Sequence, residues 1–164
     1  MISQLLPTQD ELHEAIEYWI FTRSETRELL GSLTDEQLLF RPQGPKWQPL
    51  YYQFSCLVRV QLAYAKALRT GEMDFAYFVD KSLPGKHSLT TRRQLDAAFD
   101  GTREIWMSAI SAIGSVHWLD QELSVAAHIY RLVSHERLHQ GQLISYFTMA
   151  GYELPPNFKQ TWAL

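Results

Sequence analysis

Leu12, Ile16, Trp19, Ile20, Arg23, Thr26 and Leu30 recur at three- and four-residue spacing, the period of one face of an α-helix. Two further stripes repeat the pattern: Leu50, Phe54, Leu57, Gln61, Tyr64 and Leu68, then Leu95, Ala98, Phe99, Thr102, Ile105, Trp106, Ala109 and Ile113. A fourth runs from Ser124 to Ala150. Each stripe must be hidden from water, and four long amphipathic helices hide their stripes against one another. An all-α four-helix bundle is therefore the expected fold.

Capping signals give the boundaries. Thr8 with Glu11 forms a capping box for a first helix ending near Leu30, with Pro7 just outside. Thr34 with Gln37 caps one short turn, and "RPQGPKW" is a loop broken by Pro42, Gly44 and Pro45. The second helix is expected to start near Trp47–Pro49 and to end before Gly71. Thr91 and Gln94 open a third helix that runs to Ile113 and is stopped by Gly114. The fourth runs from Ser124 to Ala150, with Gly151 as its stop. The connector from Gly71 to Thr90 is longer than the ~9–10 extended residues that cross a ~30 Å bundle. It allows an up-down-down-up order, and its "FAYFV" reads as a short strand or a docked turn. The proline-rich tail cannot extend the last helix, but its aromatics imply docking on the body.

One domain is expected from 164 residues. A net charge of −3 without a basic block gives no nucleic-acid surface. "MISQLLPTQDE" lacks the basic and apolar regions of a signal peptide, and no run approaches the ~18 apolar residues of a membrane span. Cys56 is the single cysteine, so no internal disulfide forms, and a reducing cytoplasm is the expected location.

"SHERLHQGQLISYF" carries the chemistry. His135 and His139 stand one helical turn apart on one face, a spacing that lets two imidazoles reach one ion. A pair of histidines hydrogen-bonded in a polar seam satisfies the same spacing. The H-E-x-x-H match also raises a peptidase, with Glu136 as general base. That reading is disfavoured, because Glu136 lies ~100° around the helix from His135 and no third histidine follows. His128 shares nearly the same face but sits ~10.5 Å along the axis from His135, too far for one ion. It is a candidate cleft or outer-sphere residue. His13, His87 and His117 are expected at the surface. Gly141, inside the helix, implies close approach of a neighbouring helix.

The stretch "HERLHQGQLISYFTMAGYELPP" resembles the last helix of the DinB/YfiT-like superfamily of four-helix-bundle metal-dependent proteins. The matching residues are His135, His139, Gly141-Gln142, Tyr146, Gly151 and Pro155. "LTDEQLLFRPQGPKWQPL" is similar to the same family's approach to its second helix. The resemblance implies one divalent metal, zinc or nickel, held by two histidines of the last helix and one of the second. It also implies thiol-dependent transferase or isomerase chemistry on low-molecular-weight thiols, although many members have no assigned activity.

The chain departs from that pattern where the third histidine is due. Ser55 stands eight residues after Trp47, Cys56 follows, and the second helix has no histidine. Three outcomes stay open. Cys56 can replace the missing ligand, since a thiolate binds zinc well, although a lone cysteine on an apolar helix is also an ordinary core residue. Gln53, Gln61 or Glu153 can offer a weak oxygen. The leading outcome is a degenerate site between the second and fourth helices, which holds metal weakly or not at all. Ser55, Gln142, Tyr146 and His128 are candidates to line the cleft, and no catalytic residue is assigned. The functional expectation is a metal-dependent thiol transferase or related small-molecule enzyme. The alternative is a non-catalytic, homodimeric binding or interaction module, with Trp19, Trp118, Phe158 and Trp162 as candidate interface aromatics.

Overall fold

The computed structural model describes residues 9–79, 88–110 and 114–164. Four long helices dominate it: α1 (Gln9–Gly31), α3 (Tyr51–Thr70), α4 (Arg92–Ile110) and α5 (Val125–Ala150). Two short ones, α2 (Asp35–Leu38) and α6 (Pro156–Trp162), and a 3-10 turn (Phe75–Val79) complete the helical part. The all-α reading holds. Helix α1 packs on α5 and α4, and α3 packs on α4 and α5.

The helix starts follow the sequence signals. Thr34 accepts from the Gln37 amide while the Gln37 side chain accepts from the Thr34 amide, a closed capping box. Thr91 and Gln94 repeat that exchange before α4. Ser124 Oγ caps α5 by accepting from Ala127 N at 3.2 Å. Gly71 (φ 78°) and Gly151 (φ 71°) end α3 and α5 in the left-handed conformation, which glycine adopts without Cβ strain. The Thr8 cap, the Ile113 end of the third predicted helix and His87 lie outside the described residues.

Helix α3 starts at Tyr51, slightly later than expected, and is buried on most of its circumference, so it is the central rod. Its apolar side chains divide the core into two clusters. One surrounds Trp19, Tyr64, Trp106 and Ile129, and the other surrounds Leu29, Phe54, Phe99 and Phe147. Against α1 the interface of α5 is polar as well as apolar. Glu136 is fully buried there, with Oε2 2.9 Å from Arg23 Nη2, Oε1 2.9 Å from Arg23 Nε, and Thr26 Oγ1 donating to Oε1 at 2.6 Å. Gln140 donates to Thr22 O and Thr26 Oγ1, and Arg137 reaches Glu25 Oε2 at 2.6 Å.

Several features differ from expectation. The segment before α5 is a β-hairpin, β1 (Ser115–Trp118) paired antiparallel with β2 (Gln121–Ser124), and Leu119 turns it at φ 54°. His117 also exchanges backbone hydrogen bonds with Gly71 O and Met73 N, so the hairpin is tied to the end of α3. Of the two readings of "FAYFV", strand or docked turn, the turn holds: the segment is the 3-10 turn packed on α3. The tail docks as expected, but as a helix, α6, started by Pro156. Trp19 and Phe158, candidates for a subunit interface, are instead core residues at 1% and 0% exposure. At Gly141, an added Cβ would meet no described residue within 4 Å, so among the described residues no neighbouring helix crosses closely there.

Candidate metal centre

Helix α5 carries His135 and His139 on the side that faces α3, with ring centroids 4.6 Å apart. Helix α3 presents Cys56 to them. One ligand atom from each of Cys56, His135 and His139 lies within 4.8 Å of the others. Tetrahedral zinc with Zn–N near 2.0–2.1 Å and Zn–S near 2.3 Å needs ligand atoms about 3.4 Å apart. The observed limit of 4.8 Å is wider than that, so binding an ion would draw the three side chains together. Two imidazoles and one thiolate fit a borderline-soft divalent ion and leave a fourth position for water or substrate.

His139 is further organised by a chain of hydrogen bonds. Tyr146 Oη donates to the Gln48 carbonyl at 2.7 Å. Its lone pair therefore accepts from Gln53 Nε2 at 3.3 Å. That orients the Gln53 amide so that Oε1 faces His139 Nδ1 at 2.6 Å. An amide oxygen only accepts, so Nδ1 carries the proton and Nε2 is the nitrogen that would coordinate a metal. Three residues separate Gln53 from Cys56, which puts the orienting group and the thiol on neighbouring positions of one face of α3.

The loop before α3 supports the far end of this chain. Arg41 Nε donates to Trp47 O at 2.8 Å, and Leu50 N donates to Phe40 O at 2.8 Å. The Trp47 ring meets Tyr146 edge-on at 5.3 Å, and Gly44 takes φ 113° beside that ring. The arginine and tryptophan of the "RPQGPKW" loop thus hold the Gln48 carbonyl where Tyr146 needs it.

The remaining candidates are engaged elsewhere. Ser55, one position before Cys56, is rotated away and donates to Leu89 O at 3.1 Å. Gln61 is exchanged with Thr102 on α4, and Glu153 is exposed beyond the end of α5. Gln142 is half-buried. Gln53, considered as a weak ligand, accepts from His139 instead. His128 is fully buried in an aromatic nest of Tyr64, Trp106 and Trp118. Trp118 Nε1 donates to its Nδ1 at 2.9 Å, so its Nε2 donates to Tyr64 O at 3.1 Å. Both ring nitrogens are thereby used in the core, and burial pushes its pKa down to about 4. Glu136 faces α1 and its two oxygens are held by Arg23 and Thr26, which removes the general base that a peptidase would need.

Among the described residues, no helix is long and apolar enough to cross a membrane. No curated protein matches the chain. Two similar solved structures are DinB-like proteins. One, from Bacillus cereus ATCC 10987, is 15% identical with a TM-score of 0.65 over 86% of this chain and 93% of that one. The other, from Bacillus subtilis, is 13% identical with a TM-score of 0.57 over 87% and 95%. At these identities the likeness establishes the fold. The family model of the DinB superfamily matches residues 18–143, most of the sequence, and the chain therefore belongs to the DinB superfamily.

Proposed function

We propose that Cys56, His135 and His139 together hold one divalent ion, zinc or nickel, and that the protein is a metal-dependent enzyme acting on a low-molecular-weight thiol. The convergence of the three ligand atoms within 4.8 Å carries this reading. A bound divalent ion would supply a Lewis acid that lowers the pKa of a thiol or water at the open position. The protein residues do the rest. Gln53 fixes the His139 tautomer, Tyr146 fixes Gln53, and His135 is half-buried beside them.

Metal uptake tests the proposal. Equilibrium dialysis with elemental analysis is expected to return one zinc or nickel per chain at micromolar metal. Cobalt substitution is expected to give a thiolate-to-cobalt charge-transfer band. Cys56→Ala should abolish that band and weaken binding more than about 100-fold. Cys56→His should keep the metal and lose the band. A chain that takes up neither metal refutes the assignment.

A second reading is a homodimeric interaction module, and one observation supports it. The outer face of α1 and α5 exposes Tyr18, Phe21, Tyr130 and Leu138 at 40–60%. Tyr18 and Tyr130 touch across the two helices, and the Arg137 guanidinium covers Tyr18 and Phe21. Light scattering of the purified chain, compared with Phe21→Glu, distinguishes a dimer through this face from a monomer.

A further inference from the structure

Arg23 also lines a cavity of about 200 Å³ between α1, α3 and α4, whose wall does not include Glu136. Three cationic side chains line it, Arg23, Arg27 and Arg103, and no carboxylate does. The apolar part of the wall is Trp19, Ile20 and Phe99. It shares no residue with the Cys56, His135 and His139 cluster.

Three N–H groups in this wall are buried without a hydrogen bond among the described residues: Arg23 Nη1, Trp19 Nε1 and Arg23 Nε, of which only Nε has an ion-pair contact, at 2.9 Å from Glu136 Oε1. Arg23 is only 6% exposed and Trp19 1%. Glu136 occupies the Nε and Nη2 edge of the guanidinium, which leaves Nη1 on the opposite edge. The Arg23 guanidinium lies over the Phe99 ring at 4.5 Å, a contact that holds its plane but accepts no N–H hydrogen bond in that plane. Leaving a buried charged donor unpaired carries its full desolvation cost, so a partner is due in the cavity. At the rim, Arg27 is neutralised by Asp96 and Asp100. Arg103 is exposed and makes no ion pair among the described residues.

From these groups we infer that the cavity binds a small organic carboxylate with a flat apolar body. The carboxylate accepts from Arg23 Nη1 and Trp19 Nε1, Arg103 adds long-range attraction, and the apolar body lies against Ile20 and Phe99. The volume is below the ~300–1,000 Å³ of drug-sized sites, which sets the ligand at roughly the size of one ring plus its acid group. Free phosphate fits less well, because half of the wall offers it no hydrogen bond.

Benzoate is the probe. In NMR titrations of the full chain, the Trp19 indole N–H is expected to shift with a Kd of about 1 mM or tighter. Neutral benzamide should bind about tenfold more weakly or worse, since it forgoes the charge-assisted bond. Arg103→Glu, at an exposed position, should weaken benzoate about threefold or more. Arg23→Lys keeps a cation against Glu136 but loses the planar fork, and should weaken it about tenfold. His139→Ala should leave the benzoate response unchanged, which separates this site from the metal centre. The inference is overturned if benzoate leaves the Trp19 signal unmoved, if benzamide binds equally well, if Arg103→Glu has no effect, or if His139→Ala abolishes the response.

Discussion

His139 Nδ1 lies 2.6 Å from Gln53 Oε1, and this contact decides which nitrogen of the imidazole is available to a metal. Gln53 is locked in turn by Tyr146, whose hydroxyl is spent on Gln48 O. Gln53→Leu keeps the apolar volume and removes the acceptor, so the ring loses its preferred tautomer. Metal affinity is expected to fall about 10–100-fold. Gln53→Glu keeps an acceptor and makes it anionic, so its affinity should equal or exceed that of the parent. Competition against a chromophoric chelator reads both. Equal affinity in the Leu variant would remove Gln53 from the site.

Glu136 and Arg23 form a buried ion pair that belongs to the helix interface and not to the metal cluster. Removing one partner leaves the other charged and desolvated. Glu136→Ala is expected to cost about 3–5 kcal/mol in urea denaturation while metal uptake at low temperature persists. Loss of the metal with unchanged stability would instead place Glu136 in the centre, as the peptidase reading requires.

The four stripes, two of the three capping boxes and the Gly151 stop were legible because they are local: period, capping box and glycine stop all act within a few residues. His135 and His139 were legible for the same reason, being one turn apart. What pairs with them is not local. Cys56 and Ser55 are neighbours in sequence, and only the rotation of α3 against α5 decides that the thiol faces the histidines while the hydroxyl turns to Leu89. Gln53 was visible as a polar residue on an apolar helix, but its role depends on Tyr146, many residues away. The hairpin escaped notice because its strands are four residues each, and one of them, "QELS", lacks β-branched residues. Arg23 falls on the helical stripe of α1, but nothing local pairs it with Glu136, which the sequence offers only as a disfavoured general base.

Gly141 sits inside α5 with open space where a Cβ would go. The glycine therefore costs helix stability without providing a close approach. Gly141→Ala is expected to stabilise the chain by about 0.5–1 kcal/mol, a Tm rise of roughly 2–4 °C by calorimetry. A lower Tm would mean that the space is used by something the helix packing does not show, such as a bound molecule.

His128 makes stability depend on pH with a definite sign. Burial lowers its pKa to about 4, the Tyr64 carbonyl opposes that shift, and the nearby Arg131 charge adds to it. Unfolding returns the imidazole to water and to its ordinary value of about 6.5. Between these two values the unfolded chain binds a proton that the folded chain does not, so acid favours unfolding. The contribution is fully present above pH 6.5 and is lost as pH falls towards 4, amounting to roughly 3 kcal/mol across the window. Glutamine at this position offers a donor and an acceptor without titrating. Urea midpoints for the parent chain should therefore drop more steeply between pH 7.5 and pH 4.5 than those of His128→Gln. Parallel pH profiles would show that the buried imidazole is not the group that acid attacks.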